Sequence, residues 1–419
     1  MERVILHCDA NSYYASVECL YTPAIRALPV AVGGDIKARH GIILTKNVLA
    51  KSFGVRTGEA IWQAKRKCPD LVLVPPDFPL YVRFSAKLRR IYEQYSDKVE
   101  PFGLDEAWVD VTAPGITLRD GVRIADEIRR RVRDELGITV SVGIADNKAF
   151  AKLGSDMKKP DAVTLLRPQD YARRVYPLPV GELLYVGPNT RRRLAALGIL
   201  TIGDLARCES TVLQRILGKA ALTLKAYACG QDASPVAPAD RHTQVKSVGN
   251  STTPPHDIRD MDDARCIYYL LAESVASRLR KGGFRARCLS ISARSSQLVT
   301  RSCQMTLPRP SCLTDELAQA AMTLFSQRFA CGFPYRSAGL TCTMLSAQNE
   351  PIQLDFTGDE ERRIHMEQLE HSIDSLRVRY GSQIITRGAV LLDKDSASSA
   401  PAPFHPFSPT SLCLEEEMA

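Results

Sequence analysis

The sequence lacks any apolar run long enough to cross a bilayer. The hydrophobic stretch after Met1 is also too short for a secretory signal peptide. Cysteine pairs are missing as well, since the 12 cysteines are scattered, with no Cys-x-x-Cys pair and no Cys/His cluster at zinc spacing. We therefore expect a soluble, cytoplasmic protein whose thiols are reduced and mostly buried.

Length and charge limit the possibilities further. A chain of 419 residues is too long for one ordinary core, so we expect two to four domains. The net charge of +8 suggests an anionic partner. The charge is unevenly distributed. Residues 241–348 hold 14 Arg and Lys against 7 Asp and Glu, a charge of +7, whereas residues 349–419 hold 6 against 13, a charge of −7.

Three carboxylates in two short stretches are the candidate reactive groups. Asp9 ends a short apolar stretch that is typical of a buried strand, just before a helix for which Asn11 and Ser12 could supply capping side chains. Asp105 and Glu106 are adjacent at the mouth of a predicted hairpin, where two like charges would raise each other's pKa unless a cation held them. Such a pair of carboxylates would be required if the site bound divalent ions. The alternative is that Asp105 and Glu106 form a solvated acidic turn and that Asp9 is a buried helix-capping residue.

Four segments in order resemble the motifs of the Y-family translesion DNA polymerases. The bacterial DNA polymerase IV group is the most similar, although Asp-x-Asn replaces its common Asp-x-Asp and is similar to the polymerase V catalytic subunit. The segments are CDANSYYASVE (8–18), GIILTKNVLAKSFGV (41–55), LDEAWVD (104–110) and NKAFAKLGSDMKKP (147–160). Together they are far more specific than any one of them alone.

The resemblance implies template-directed DNA synthesis on a primer 3′-hydroxyl by two-metal nucleotidyl transfer, used in lesion bypass during DNA repair. Asp9, Asp105 and Glu106 would be the catalytic residues and, with the Ala10 carbonyl, would hold two Mg²⁺ ions. No histidine lies at a motif position, so no side chain is assigned as general base.

The resemblance also assigns nucleotide contacts. Tyr13, Tyr14, Thr45, Lys51 and Lys159 would line the nucleotide site, with Tyr14 as the steric gate against ribonucleotides. Lys51 stands where many relatives have arginine. A single ammonium charge would therefore replace a guanidinium group that can donate two parallel hydrogen bonds.

The roof over the nascent base pair differs from that of many relatives. Val48 replaces a common tyrosine, and Ile42 and Leu44 replace smaller residues. The side chains of Ile42 and Leu44 either narrow the space for a damaged base or pack into the local core; the sequence leaves both open.

The fold implied is a multidomain α+β right hand. A palm sheet with helices on one side would be joined by small fingers, a helical thumb with a helix-hairpin-helix, and a βαββαβ-like little finger. The boundaries are palm 1–10 and 76–166, fingers 11–75, thumb 167–230, linker 231–240, little finger 241–348, acidic extension 349–395 and disordered tail 396–419.

DNA contacts are expected on the thumb and little finger. Tyr185 replaces the first glycine of the common hairpin, which would weaken one backbone contact to a phosphate. The expected DNA-binding residues are Gly187, Arg191, Lys246, Arg285, Arg287, Arg294 and Arg301.

The acidic C-terminal region suits a protein partner rather than DNA. Gln353 to Phe356 resembles a degenerate sliding-clamp peptide, and a strand that docks the following acidic helix (359–379) is the alternative. We expect a monomer.

Two other functions are alternatives for this sequence. One is a non-catalytic DNA-binding relative that acts as a scaffold, but such relatives lose the metal carboxylates that this chain has. The other is a nucleotide cyclase on a palm-like fold, which would not need a linker followed by a basic, β-rich domain.

Overall fold

The computed structural model describes residues 2–34, 41–240, 244–350, 359–381 and 384–388. These residues form two compact units. The first contains residues 2–33 and 43–240, and the second contains residues 34, 41–42 and those from 244 onward. None of the helices in these ranges is long and apolar enough to span a membrane.

The first unit contains eight strands and eleven α-helices among the described residues. In chain order they are β1 (Ile5–Ala10), α1 (Tyr13–Tyr21), β2 (Val30–Gly33), β3 (Ile43–Lys46), α2 (Val48–Ser52), α3 (Ile61–Lys67), β4 (Val72–Val74), α4 (Phe78–Tyr92), β5 (Val99–Pro101), β6 (Glu106–Asp110), α5 (Leu118–Leu136), β7 (Val140–Ala145), α6 (Lys148–Met157), β8 (Val163–Leu165), α7 (Tyr171–Arg174), α8 (Pro188–Ala195), α9 (Ile202–Arg207), α10 (Ser210–Leu217) and α11 (Ala220–Ala228).

A five-stranded sheet is the centre of the first unit. Its order is β5-β6-β1-β7-β8, and all neighbours are antiparallel except β7 and β8. β1 lies in the middle and is buried over its whole length, which explains why the apolar residues before Asp9 form a strand. The sheet therefore presents Asp9 from its central strand.

Helices cover both faces of this sheet, so the prediction of helices on one side is wrong. Gly121 of α5 packs against Leu6 and Ile144. α6 lies on the opposite face of the sheet. Gly143 faces α6, because it is next to Ile144 on β7 and successive residues of a strand point to opposite faces. A Cβ at Gly143 would lie 1.9 Å from the Ala151 carbonyl oxygen. Glycine is therefore required there, because α6 approaches the sheet backbone so closely.

The predicted fingers form a small three-stranded sheet of order β3-β2-β4, with β2 and β3 antiparallel and β2 and β4 parallel. The helical pattern of 47–67 is interrupted, because Gly54 and Gly58 have φ of 79° and 81° in the loop between α2 and α3. The short helices α7 to α11 follow the palm and share a core that includes Leu194, Ile202 and Leu205.

The segment 231–240, predicted as a linker, is attached to the first unit. Arg3 donates hydrogen bonds to the carbonyls of Asp232 and Ser234 at 3.0 and 2.7 Å. The Ala237 N–H donates to Glu100 Oε2 at 2.8 Å. The segment is thus extended but held at two places by polar groups of the first unit.

The second unit confirms the predicted βαββαβ order. Its elements are β9 (Ser247–Thr252), α12 (Met261–Lys281), β10 (Phe284–Ser295), β11 (Thr300–Ser311), α13 (Thr314–Arg328), β12 (Tyr335–Ala347) and α14 (Asp359–Tyr380). The strands form an antiparallel sheet of order β11-β10-β12-β9. Side chains of α12 and α13 pack with those of the sheet in one apolar core, which includes Leu271, Phe325 and Leu340.

The acidic helix α14 packs on this second unit through ion pairs. Glu370 contacts Arg280 and accepts hydrogen bonds from Thr314, and Asp374 lies 2.7 Å from Arg280. Glu367 lies 2.8 Å from Arg285. Part of the acidity predicted to serve a protein partner, namely Glu367, Glu370 and Asp374, therefore pairs with arginines of the same chain. The clamp-like segment Gln353 to Phe356 and the tail from Ser396 lie outside the described residues.

Candidate active site

Strand register brings the three predicted carboxylates together. Asp9 of β1 is paired with Glu106 of β6. Asp105 lies just before β6, and its carbonyl accepts a hydrogen bond of 2.9 Å from the Ala10 N–H. Two short motifs almost 100 residues apart in sequence thus meet at the same end of adjacent strands.

Burial and mutual repulsion act on these carboxyl groups. Burial raises the pKa of Asp9 to about 6, although the nearby Lys159 opposes the shift. Burial raises the pKa of Asp105 to about 7, and the charges of Glu106 and Asp9 add to the shift. For Glu106 burial also acts to raise the pKa, but His7 and Lys152 outweigh it and lower the pKa to about 2. Asp105, with a pKa of about 7, is therefore only partly ionised at neutral pH, and a bound cation would favour its charged form.

Two lysine ammonium groups supply positive charge at the site. Lys159 Nζ lies 2.7 Å from Asp9 Oδ2 and 2.9 Å from Asp156 Oδ1. Lys152 Nζ contacts Glu106 Oε2. Both lysines belong to the predicted segment 147–160, and α6 carries Lys152 over the sheet.

The donor set suits a hard divalent ion, because carboxylate and carbonyl oxygens are the ligands that Mg²⁺ prefers. Within the described ranges, however, no three side chains of His, Cys, Asp or Glu converge on one point that could hold an ion. The lysine contacts explain this arrangement, since Asp9 and Glu106 are each drawn to an ammonium group. The residue types fit Mg²⁺, and an ion that binds Oδ2 of Asp9 would have to replace Lys159.

Sequence reasoning missed His7, which is fully buried beside Glu106. Its Nε2 lies 3.2 Å from Glu106 Oε2, and its Nδ1 lies 2.8 Å from Ser155 Oγ. The available signal was spacing: His7 and Asp9 are two residues apart on one strand and therefore share a face of the sheet.

The two tyrosines at the start of α1 have different environments. Tyr13 is buried, and its hydroxyl donates to the Tyr81 carbonyl at 2.6 Å. Tyr14 is partly exposed and stacks on Tyr81 with ring centroids 4.3 Å apart. Burial raises the pKa of Tyr14 to about 12, with a contribution from the Asp105 charge. Tyr14 is thus held by stacking on Tyr81, and it lies close enough to the candidate metal ligand Asp105 for that charge to affect its pKa.

The predicted capping of α1 is wrong. Ser12 has φ 49° and makes no side-chain capping hydrogen bond. Asn11 instead binds β7 and the turn after α6: its Nδ2 donates to Ser141 Oγ at 3.0 Å, and its Oδ1 accepts from the Asp161 N–H at 2.8 Å. Asn11 therefore fixes the turn that carries Lys159.

Thr45 and Lys51 lie in the predicted fingers. Thr45 is in β3 and is partly exposed, and Lys51 is exposed on α2. Asn47 fixes the start of α2, since its side chain accepts from the Ala50 N–H and donates to the Leu28 carbonyl.

Comparison with known proteins gives the family. The model of the impB/mucB/samB family matches residues 8–156, and the model of its C-terminal domain matches residues 245–356. The chain is 46% identical over 394 residues to a DNA polymerase IV of Acetivibrio thermocellus, covering 94% of this chain and 99% of that protein. It is 39% identical to DNA polymerase IV 1 of Bacillus subtilis, with 94% of each chain covered.

The chain belongs to the Y family of DNA polymerases, in the DNA polymerase IV group. A solved chimeric Y-family DNA polymerase shares the fold, with a TM-score of 0.72 and 24% identity, over 82% of this chain and 99% of the chimera. The right-hand α+β architecture predicted from the sequence is thereby confirmed.

Residues in the predicted thumb that were expected to bind DNA lie at the start of α8 and on α8 itself. Gly187 immediately precedes α8, and Arg191 is exposed on that helix. Tyr185 is 61% exposed and has φ 66°, the left-handed region that favours glycine. The chain therefore keeps the glycine-like backbone turn at this position and adds an exposed ring to it.

The little-finger residues divide into two groups. Lys246, Arg287, Arg294 and Arg301 are exposed. The side chain of Arg285 is only 12% exposed, and it binds Glu367 and the Gln348 carbonyl. Arg285 is therefore occupied within the chain, and the proposed DNA contacts below do not include it.

Proposed function

We propose that this DNA polymerase IV-group protein extends a primer on a DNA template, including past damaged bases, by two-metal nucleotidyl transfer. The observation that carries the proposal is the meeting of Asp9, Asp105 and Glu106 at one end of β1 and β6. When bound there, two Mg²⁺ ions would lower the pKa of the primer 3′-hydroxyl and neutralise charge on the triphosphate.

The residues of the chain have separate tasks in this proposal. The three carboxylates and the Ala10 carbonyl bind the ions. Lys159 is attached to the turn after α6, where it is able to exchange Asp9 for a triphosphate oxygen. No side chain is assigned as general base, because His7 is buried and engaged with Ser155 and Glu106.

The remaining nucleotide contacts follow the same assignment. Tyr14 stacks on Tyr81 and is the proposed steric gate beneath the deoxyribose, beside the buried Tyr13. Thr45 and Lys51 of the fingers would contact the triphosphate.

DNA would be held largely by charge. We propose phosphate contacts from Gly187 and Arg191 of the thumb and from Lys246, Arg287, Arg294 and Arg301 of the little finger. Contacts of this kind bind DNA without reading its sequence. The palm, fingers, thumb and little-finger boundaries given above remain our proposed division of the chain.

The two rival functions are not favoured. A non-catalytic scaffold would not need all three carboxylates, and a nucleotide cyclase would not need the basic second unit. Primer extension with Mg²⁺ on undamaged and damaged templates separates the three. Extension of both templates supports the proposal, whereas DNA binding without extension would indicate a scaffold.

The proposal extends to location and partners. A DNA-templated activity requires access to the chromosome, so we propose that the protein acts in the cytoplasm, as a monomer. Gln353 to Phe356 is proposed to bind a sliding clamp. Substituting Leu354 and Phe356 and measuring clamp-stimulated against basal synthesis tests that assignment.

A further inference from the structure

The buried histidine of β1 faces the candidate metal site. Asp9 is paired with Glu106, and His7 is paired with Trp108. Successive side chains of a strand alternate between faces, so these four residues share one face of the sheet. His7 and Glu106 are therefore diagonal neighbours on adjacent strands, close enough for long side chains to meet.

Contacts on three sides fix the His7 ring. Nε2 lies 3.2 Å from Glu106 Oε2, and Nδ1 lies 2.8 Å from Ser155 Oγ on α6. The ring also meets Trp108 edge-on, with centroids 5.1 Å apart. The imidazole has no freedom to turn away from Glu106 without breaking all three contacts.

The hydrogen-bonding roles follow from the chemistry of the partners. An ionised carboxylate only accepts, so His7 can hold Glu106 only in the tautomer that carries its hydrogen on Nε2. In that tautomer Nδ1 accepts a hydrogen bond from the Ser155 hydroxyl. In this structure the Ser155 hydroxyl donates to the Lys152 carbonyl at 2.7 Å, so it has to turn from that carbonyl to Nδ1. The Lys152 carbonyl lies within α6 and is able to accept a helical N–H instead.

Both groups that contact the Glu106 carboxylate use the same oxygen. Lys152 Nζ and His7 Nε2 each contact Oε2, so neither occupies Oε1. A glutamate side chain has three rotatable bonds, and fixing it before an ion arrives lowers the entropic cost of binding.

We propose that His7 is a positioning residue, which holds Glu106 by Oε2 so that Oε1 is presented to the divalent ion. The proposal rests on the proposed metal role of Glu106. Hydrogen-bond partners of metal ligands commonly affect metal affinity by about 10- to 100-fold, which sets the size of the expected effect.

The alternative is that His7 only fills the core beneath Trp108. Two substitutions separate these roles without a change of charge. His7→Gln keeps an amide N–H2 near the position of Nε2, so it can still donate to Glu106. His7→Asn ends nearer the position of Nδ1, so it can still meet Ser155 but not Glu106. Both remove the ring and should cost packing energy to a similar degree.

The test measures Mn²⁺ binding to the full chain. The electron paramagnetic resonance signal of the free ion monitors the binding, and thermal melting is measured in parallel. We expect His7→Gln to bind Mn²⁺ nearly as well as the wild type and His7→Asn to bind it about tenfold more weakly. Equal losses in both variants, or no loss in His7→Asn, would overturn the proposal.

Two controls complete the design. Lys148→Met removes an ammonium that pairs with Glu100 and lies over the Trp108 ring, on the same helix but away from the three carboxylates. It should leave Mn²⁺ affinity unchanged. Glu106→Ala should lose the site. If it binds Mn²⁺ as the wild type does, the proposed metal role of Glu106 fails, and the positioning role of His7 fails with it.

A third variant decides the question if His7→Asn does not fold. Ser155→Ala removes only the hydroxyl that orients the ring, and it should weaken Mn²⁺ binding by about threefold or more while the protein stays folded. Unchanged affinity in Ser155→Ala would overturn the proposal.

Discussion

Asp9 and Lys159 form an ion pair of 2.7 Å across 150 residues of sequence. The residue proposed to bind the triphosphate therefore neutralises a proposed metal ligand in this structure. If both proposals hold, we expect Lys159 to exchange this carboxylate oxygen for a phosphate oxygen when the nucleotide binds. The same pair leaves Asp105 without comparable compensation, which makes the site sensitive to pH.

Stability should depend on pH and Mg²⁺ together. Burial raises the pKa of Asp9 and Asp105 from 3.8 to about 6 and about 7. The folded chain thus binds these protons more tightly than the unfolded chain, and stability falls as pH rises from about 4 to about 7. The pKa of Glu106 is lowered to about 2, so the stability that this carboxylate contributes is lost only when the pH falls below about 4.

A divalent ion should offset this loss of stability. Mg²⁺ is expected to raise the melting temperature more at pH 8 than at pH 5, as measured by thermal unfolding of the full chain. Asp105→Asn should reduce the difference. An equal Mg²⁺ effect at both pH values would show that these carboxyl groups do not bind the ion.

Tyr14 should control sugar selection. Tyr14→Ala removes a ring held by stacking on Tyr81, so a 2′-hydroxyl no longer meets a barrier. We expect ribonucleotide insertion to rise by roughly tenfold or more, since removing a steric clash of a few kcal/mol has an effect of that order. Tyr14→Phe keeps the ring and is the matched control. Unchanged discrimination in Tyr14→Ala, with normal thermal stability, would refute the gate.

Leu44 should limit the space for damaged bases. Ile43 is buried in the fingers core, whereas Leu44 is partly exposed, so the two side chains alternate across β3. The sequence left open whether Leu44 packs into that core, and its exposure favours the other face. Overfilling a packed site costs about 1–3 kcal/mol, or roughly ten- to hundredfold in rate.

The corresponding measurement is single-nucleotide insertion opposite a bulky adduct and opposite an undamaged base. Leu44→Ala should improve the first more than the second, and Ile43→Val, which changes the core side of the strand, should improve neither. An equal effect on both templates would show that Leu44 does not limit the lesion pocket.

Short motifs predicted which carboxylates lie close together, but they did not predict the contacts that these carboxylates make. Asp9, Asp105 and Glu106 could be found because each lies in a distinctive local pattern. The role that we propose for His7 depends on strand register, which sets its diagonal contact with Glu106 and is not evident from the two motifs separately. The capping prediction for Ser12 failed because that residue adopts a left-handed conformation.

Ion pairs between residues that are far apart in the sequence could not be predicted either. Arg285 was expected to bind DNA, but its partner Glu367 lies 82 residues later, on a helix expected to be part of a separate acidic extension. The βαββαβ order was predictable from alternating apolar patterns, whereas the docking of α14 on that unit was not.

Glu370 should be essential for the stability of the second unit. Its side chain and that of Arg280 are each only 3% exposed. Glu370→Gln leaves the Arg280 charge buried with less compensation, which we expect to cost about 3–5 kcal/mol of unfolding free energy. Glu361→Gln changes an exposed residue of the same helix and should stay within about 0.5 kcal/mol of the wild type. Denaturant unfolding of the full chain is the measurement, and equal values for both variants would contradict the role of the pair.

The same contacts affect how the clamp segment is tested. Truncation after Ala347 would remove α14 together with residues 353–356, so we expect it to reduce basal synthesis as well as clamp-stimulated synthesis. Substitutions at Leu354 and Phe356 avoid this loss of stability.

Primer extension by carboxylate variants tests the central claim most directly. Asp105→Ala and Glu106→Ala each remove a proposed hard ligand, and the loss of several kcal/mol of charge stabilisation should slow extension by roughly a thousandfold or more. Primer-template affinity, measured on the same preparations, should remain nearly unchanged, because the proposed DNA contacts are made by residues elsewhere in the chain. Loss of extension with DNA binding retained is the predicted result, and substantial extension by either variant would contradict the assignment of the active site.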